Sequence, residues 1–242
     1  TSRSTVGTMT EITDYVKLLF ARQGRLHCRE CGREVMAEGP EEVWKRIEQI
    51  PSGSEVIITF PFPMKGRHEG QTVARLEKMG FSRLFRSWRI HLMDSGGLPN
   101  NGEELNVVVD RLLFKKEARA RAMDSVEQAF FFGQGRVDVW VKPDRRLRFS
   151  NRLECPYCRI SYRSPLPNLF SFNSPMGACP FCSGIGIKLP SRMTGKPPEL
   201  EKLDSLWFQP CPECGGKRLK KESLCVKVGD KSISDFTSMS VT

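Results

Sequence analysis

The chain has 242 residues, 39% of them hydrophobic, which is enough for a core and excludes wholesale disorder. No apolar run approaches the roughly 18 residues of a membrane span, and no charged-then-apolar leader is present, so the chain reads as soluble. A formal charge of +10 points to a polyanionic or acidic partner, or equally to a basic solvated surface.

In chain order, Thr8 and Glu11 form a capping box for a helix carrying Ile12, Tyr15, Val16, Leu19 and Phe20, with Gly24 as its stop. A turn with two cysteines, Cys28 and Cys31, follows. From Ala37 to about Phe149 the cysteines vanish and an α+β pattern takes over. Pro40 starts a short helix with Val43, Trp44 and Ile47, and Val56-Ile57-Ile58 reads as a strand. Thr72 to Met79 predicts a helix stopped by Gly80, and Phe81 to Leu92 predicts strands. In a longer strand over Leu105 to Phe114, strict alternation places Val107, Val109, Arg111 and Leu113 on one face. It places Val108, Asp110 and Leu112 on the other. Glu117 to Phe132 is a helix and Val137 to Val141 a closing strand. After Cys155, cysteine, proline and glycine crowd together, and folding there is expected to depend on metal.

Eight of the nine cysteines form C-x-x-C pairs: Cys28/Cys31, Cys155/Cys158, Cys179/Cys182 and Cys211/Cys214. An odd total arranged in such pairs favours metal thiolates in a reducing cytoplasm over a secreted disulfide framework. One such turn offers two sulfurs, and tetrahedral zinc needs a second pair. Twenty residues (159–178) separate the second pair from the third, a spacing that predicts a four-cysteine finger of Cys155, Cys158, Cys179 and Cys182. By elimination Cys28 and Cys31 would share a second ion with Cys211 and Cys214; Gly32 and Gly215 directly follow the two pairs. A redox pair, or a site completed by His27, competes with that reading. Cys225, in the alternating Leu224-Cys225-Val226-Lys227-Val228, is expected to be a core strand residue. All-sulfur sites are structural, and no G-x-x-x-x-G-K-[ST], G-x-S-x-G or H-E-x-x-H pattern occurs, so no catalytic residue is assigned.

Three stretches carry a resemblance. Arg3-Ser4-Thr5-Val6-Gly7-Thr8 runs into Thr10-Glu11-Ile12 and Leu18-Leu19-Phe20-Ala21-Arg22; Leu169-Phe170-Ser171-Phe172-Asn173-Ser174-Pro175 continues through Gly177-Ala178-Cys179-Pro180 to Cys182, Gly184 and Gly186; and Pro210-Cys211-Pro212-Glu213-Cys214-Gly215-Gly216 continues through Lys217-Arg218-Leu219. In this order they resemble UvrA, the damage-recognition ATPase family of the bacterial excinuclease in nucleotide excision repair and the SOS response. The resemblance implies shoulders of the first ATP-binding half at 1–35 and 189–242, and a docking insert for UvrB at 36–150. It also implies a zinc finger at 151–188. Two zinc ions, UvrB and damaged double-stranded DNA are the implied cofactor and partners. ATP, and a homodimer, belong only to a full-length context, because the family's Walker A, signature and Walker B motifs do not occur in these residues. The chain is thus expected to be a non-catalytic fragment or reduced paralogue.

The charge then has two candidate destinations. Lys142, Arg145, Arg146, Arg148 and Arg152 form a basic run, and Arg159, Arg163, Lys217, Arg218 and Lys220 beside cysteine pairs are candidates for DNA phosphate. Arg83, Arg86, Arg89, Lys115 and Arg119 are candidates for acidic residues of UvrB. A competing class is a DnaJ-like zinc-dependent chaperone or interaction module, from the single C-x-x-C-x-G-x-G unit at Cys179 to Gly186.

Overall fold

The computed structural model describes residues 11–64, 69–93, 104–188 and 209–239. The chain divides into two compact units, one of residues 36–161 and one of residues 1–35 with 162–242. Both mix helices with antiparallel sheet, an α+β architecture.

The 36–161 unit begins with helix α2 (Pro40–Ile47). Pro40 presets the first turn, and Glu42 Oε2 accepts from Gly39 N at 3.0 Å, so the helix start is capped locally. Val43, Trp44 and Ile47 are buried, one apolar stripe at helical spacing. Six strands form one antiparallel sheet: β2 (Glu55–Pro63), β3 (Arg83–Arg86), β4 (Arg89–Leu92), β5 (Glu104–Leu113), β6 (Arg136–Val141) and β7 (Arg145–Ser150). Their order is β4-β3-β5-β2-β6-β7. With α2, helices α3 (Glu69–Lys78) and α4 (Arg119–Phe132) supply Leu76, Ala122, Val126, Ala129 and Phe130 to a core shared with Val56, Ile58, Phe60, Val107, Val137 and Val139. Burying each of the larger of these side chains stabilises the unit by about 1.5–3 kcal/mol.

Strict alternation fails in β5. The pairing with β2 jumps from Ile58↔Asp110 to Thr59↔Val108, so Val109 is an extra residue. Val107 and Leu112, which alternation assigns to opposite faces, therefore both reach the main core, while Val108 joins Ile57 and Phe85 on the other face. The basic run that the sequence shows before Cys155 contains β7, whose Phe149 is buried and whose Leu147 packs on the core. The unit's two chain ends are held together, Glu38 N donating to Ser150 O at 2.8 Å.

In the other unit, helix α1 (Ile12–Gln23) lies near a three-stranded sheet, β1 (Arg25–Leu26), β8 (Val226–Val228) and β9 (Lys231–Ser232), in the order β1-β8-β9. Thr8 of the expected capping box lies outside the described residues; Glu11 is the N-cap, with no side-chain cap bond. Phe20 is the buried residue of α1, against Phe170 and Phe236 at ring separations of 5.8 and 5.2 Å. Ile12, Tyr15 and Leu19, expected in the core, are exposed instead. Two short helices, α5 (Lys221–Leu224) and α6 (Ile233–Thr237), complete the unit. Cys225 caps α5 and is half-buried, not a core strand residue as alternation suggests. No helix among the described residues is long and apolar enough to cross a membrane.

Candidate metal centre

All four C-x-x-C pairs fold into one kind of turn. The residue after the second cysteine is left-handed in each: Gly32 (φ 69), Arg159 (φ 59), Ser183 (φ 50) and Gly215 (φ 55). In three of them its N–H donates to the carbonyl of the first cysteine, at 2.9 Å for Gly32 and Arg159 and 2.7 Å for Gly215. Glycine adopts this conformation without strain, whereas arginine and serine hold it at a cost of about 1–3 kcal/mol.

Cys179, Cys182, Cys211 and Cys214 come together, with all four Sγ atoms within 4.8 Å of one another. Cys179 and Cys211 are 3.9 Å apart between sulfurs, and Cys182 and Cys214 3.8 Å. Zinc at about 2.3 Å from four tetrahedral thiolates requires sulfurs about 3.8 Å apart, so the donor set fits that ion. The two turns grip each other reciprocally. Cys179 N donates to Arg218 O at 2.9 Å and Cys211 N to Gly186 O at 3.0 Å, so the first cysteine of each is tied to the segment following the other. Burial pushes the thiols up, to about 12 at Cys214 and also upward at Cys179. At Cys211 burial is outweighed by the N–H groups of Cys214 and Glu213, which bring it down to about 7. A bound cation would complete what those dipoles begin, since thiolate is the ligand form.

This grouping overturns both the pairing expected from spacing and the one expected by elimination. Cys179 and Cys182 partner Cys211 and Cys214, neither pair joining Cys155/Cys158 or Cys28/Cys31 as the sequence suggested. The reason is visible in the turns: all four demand a left-handed residue, so Gly32 and Gly215 carry no information about which turns pair. Spacing misleads here because the pairs flank segments that belong to different compact units. Cys28 and Cys31 lie in one unit, and Cys155 and Cys158 in the other.

Each of those two turns is well fixed in its own unit. Cys28 N donates to Arg33 O at 2.7 Å, and Arg29 N donates to Tyr162 Oη at 2.8 Å. Burial, and then the neighbouring Cys28 thiol, raise the Tyr162 hydroxyl above its usual range. In the other unit Glu154, 2% exposed, precedes Cys155 and accepts from Arg136 at 2.7 and 3.0 Å. That ion pair went unseen in the sequence, where nothing marks a carboxylate for burial.

Several of the basic candidates are already engaged. Arg159 donates to Glu104 Oε2 at 2.6 Å, Arg218 lies over the Phe172 ring at 5.3 Å, and Lys220 Nζ donates to Pro175 O at 2.9 Å. Arg163 and Lys217 are exposed. In the 36–161 unit, Arg83, Arg86 and Arg89 lie on the β3–β4 hairpin, Lys115 is exposed, and Arg119 is bound to Glu41 at 2.7 and 2.8 Å. Beside the hairpin the sheet face away from the helices carries Phe85, Trp88 and Trp140, with Trp88 and Trp140 5.4 Å apart. Alternation along β3 and β6 was the signal for this aromatic group, but pairing across β5 and β2 was needed to join its members.

Comparison with known proteins locates these features. Residues 39–142 match the model of the UvrA interaction domain. The chain is 40% identical over 191 residues to UvrABC system protein A of Bacillus subtilis, covering 77% of this chain and 20% of that protein. It is 42% identical over 196 residues to that of Methanothermobacter thermautotrophicus (77% and 20%), and 39% over 196 residues to that of Streptomyces avermitilis (77% and 19%). The chain thus spans about a fifth of the length of the curated relatives it matches. It is a homologue of UvrA over that span, and the span includes the UvrA interaction domain.

Proposed function

We propose that this chain is the zinc-binding, partner-docking part of a UvrA-like protein of cytoplasmic nucleotide excision repair, which docks UvrB and helps to position damaged DNA. The match of residues 39–142 to the UvrA interaction domain carries the reading. The chemistry of that unit agrees with it. Arg86 and Arg89 face each other across the hairpin, with Arg83 three residues before Arg86 on the same strand and half-exposed Trp88 at the turn. Aromatic and arginine side chains around a partly apolar patch are what a protein interface with an acidic partner requires. Four thiolates fill a tetrahedral ion and leave no open position, so the metal's role in this reading is structural and no catalytic residue is assigned.

The same reading assigns two zinc ions per chain. Cys179, Cys182, Cys211 and Cys214 hold one, which leaves the thiols of Cys28, Cys31, Cys155 and Cys158 for the other.

Titration of the purified chain with UvrB, by calorimetry at 50 and 200 mM salt, tests the docking. Arg86→Glu with Arg89→Glu should weaken binding about tenfold or more and flatten its salt dependence. The two positions stay like-charged, so the hairpin itself is not penalised anew. Unchanged affinity in this variant would refute the assigned surface, and no binding by the native chain would refute the partner. Elemental analysis of protein purified without added metal should give two zinc ions per chain; a value near one removes the second site.

A further inference from the structure

Beside the Cys179–Cys182 turn is a recess of about 310 Å3, lined by Phe172, Asn173, Ser174, Pro180, Ser183 and Lys220 among others. This is the small end of the range for ligand pockets, roughly 300–1,000 Å3. Its walls are set firmly. Lys220 N donates to Gly177 O at 2.8 Å, and Ala178 N to Ser174 O at 2.8 Å. Gly184 (φ 81) lets the cysteine turn press against the opposite wall, where a Cβ would stand 2.0 Å from Phe172 O.

Among the described residues, the lining contains one ammonium group and no carboxylate. Lys220 Nζ spends one proton on Pro175 O at 2.9 Å and has two more to give. Ser174 Oγ accepts from Met176 N at 3.2 Å, which leaves its own proton to donate. Asn173 adds an amide. Phe172, Pro175 and Pro180 give the same recess apolar walls. A fixed cation with hydroxyl and amide donors suits a phosphate oxygen, and the apolar walls suit the carbon face of a sugar. Half-buried Arg218 lies over the ring of Phe172, one of the lining residues, at 5.3 Å, and adds a second cation beside the recess.

We propose that this recess holds one sugar–phosphate unit of a DNA backbone, with Lys220 and Ser174 as the phosphate donors. The proposal rests on the DNA reading given above and deepens it: the contact is to backbone, so it is independent of base sequence.

The test uses the full zinc-loaded chain and a fluorescent 30-base-pair duplex, with anisotropy followed from 50 to 250 mM potassium chloride. Lys220→Gln keeps a donor for Pro175 O while removing the charge. It should weaken binding by roughly threefold to tenfold and lower the slope of log affinity against log salt by about one unit. Ser174→Ala should weaken binding without changing the slope. Lys221→Gln, at an exposed lysine paired with Glu213 at 2.9 Å and outside the recess, should leave the slope unchanged. Zinc content and melting temperature are measured for each. If the native chain binds the duplex and Lys220→Gln leaves affinity and slope unaltered, the recess is refuted and the broader DNA reading stands. The recess is refuted in the same way if that variant loses zinc, because Lys220 then serves the thiolates. No binding by the native chain overturns both. Exchanging chloride for inorganic phosphate at constant ionic strength should not displace the duplex; displacement from the native chain but not from Lys220→Gln would identify a free phosphate site instead.

Discussion

Glu38 is buried at the start of the 36–161 unit, with Arg46 4.0 Å away and Glu42 contributing repulsion. Burial is the largest influence and lifts its carboxyl from 4.5 to about 7. Because the folded value lies above the unfolded one, the folded state binds the extra proton between those values. The stability this group permits is complete below pH 4.5 and is lost as pH rises through 7. Denaturant melts between pH 5 and pH 8 should show a loss of up to about 3 kcal/mol from this residue. Glu38→Gln should be flatter over that window and more stable at pH 8, and a variant as pH-sensitive as the native chain would refute the assignment. Nothing in the sequence marks Glu38, whose burial depends on Ser150 arriving from more than a hundred positions later. The cysteines were legible as candidate ligands because their type and spacing are themselves the chemistry. Their partners were not, because Arg159 and Ser183 adopt the same turn as Gly32 and Gly215.

Among elements, the short helix at Pro40–Ile47 was readable to its ends, since proline, the capping glutamate and the apolar stripe are all local. The strand Arg145–Ser150 was hidden by its arginines, although Leu147 and Phe149 alternate with Arg146 and Arg148. Charge on a strand face is legible only when the fate of that face is known: Arg146 lies over Trp140 at 4.3 Å and donates to Asp138 at 2.6 Å. The register jump at Val109 was equally invisible, because a bulge is a property of two strands. The reciprocal cysteine turns make a sharper prediction. If Cys182 and Cys214 serve one ion, Cys182→Ser and Cys214→Ser should each lower the zinc content by one, and the double variant should be no less stable than either single one. Cys155→Ser should leave that ion in place. Additive destabilisation in the double variant would mean that the turns do not share a metal.

For the whole molecule, the α+β class and the order of features were legible, and the division into units was approached from composition alone. The main core draws only on residues between Val43 and Phe149, none of them cysteine. A segment of residues 37–150 should therefore melt cooperatively with a chelator present, while the chelator should abolish the ordered signal of residues 162–242 in the full chain. A broad, non-cooperative melt of the segment would show that its fold needs the metal-bearing turns. The single hydrogen bond from Glu38 to Ser150 then acquires another meaning. A body of some hundred residues whose two ends meet within one peptide unit occupies, from its host's side, no more room than a tight hairpin. Such a body can be acquired, lost or exchanged in evolution without disturbing the frame of the protein that carries it, and a designer could transplant it between two neighbouring strands of an unrelated scaffold.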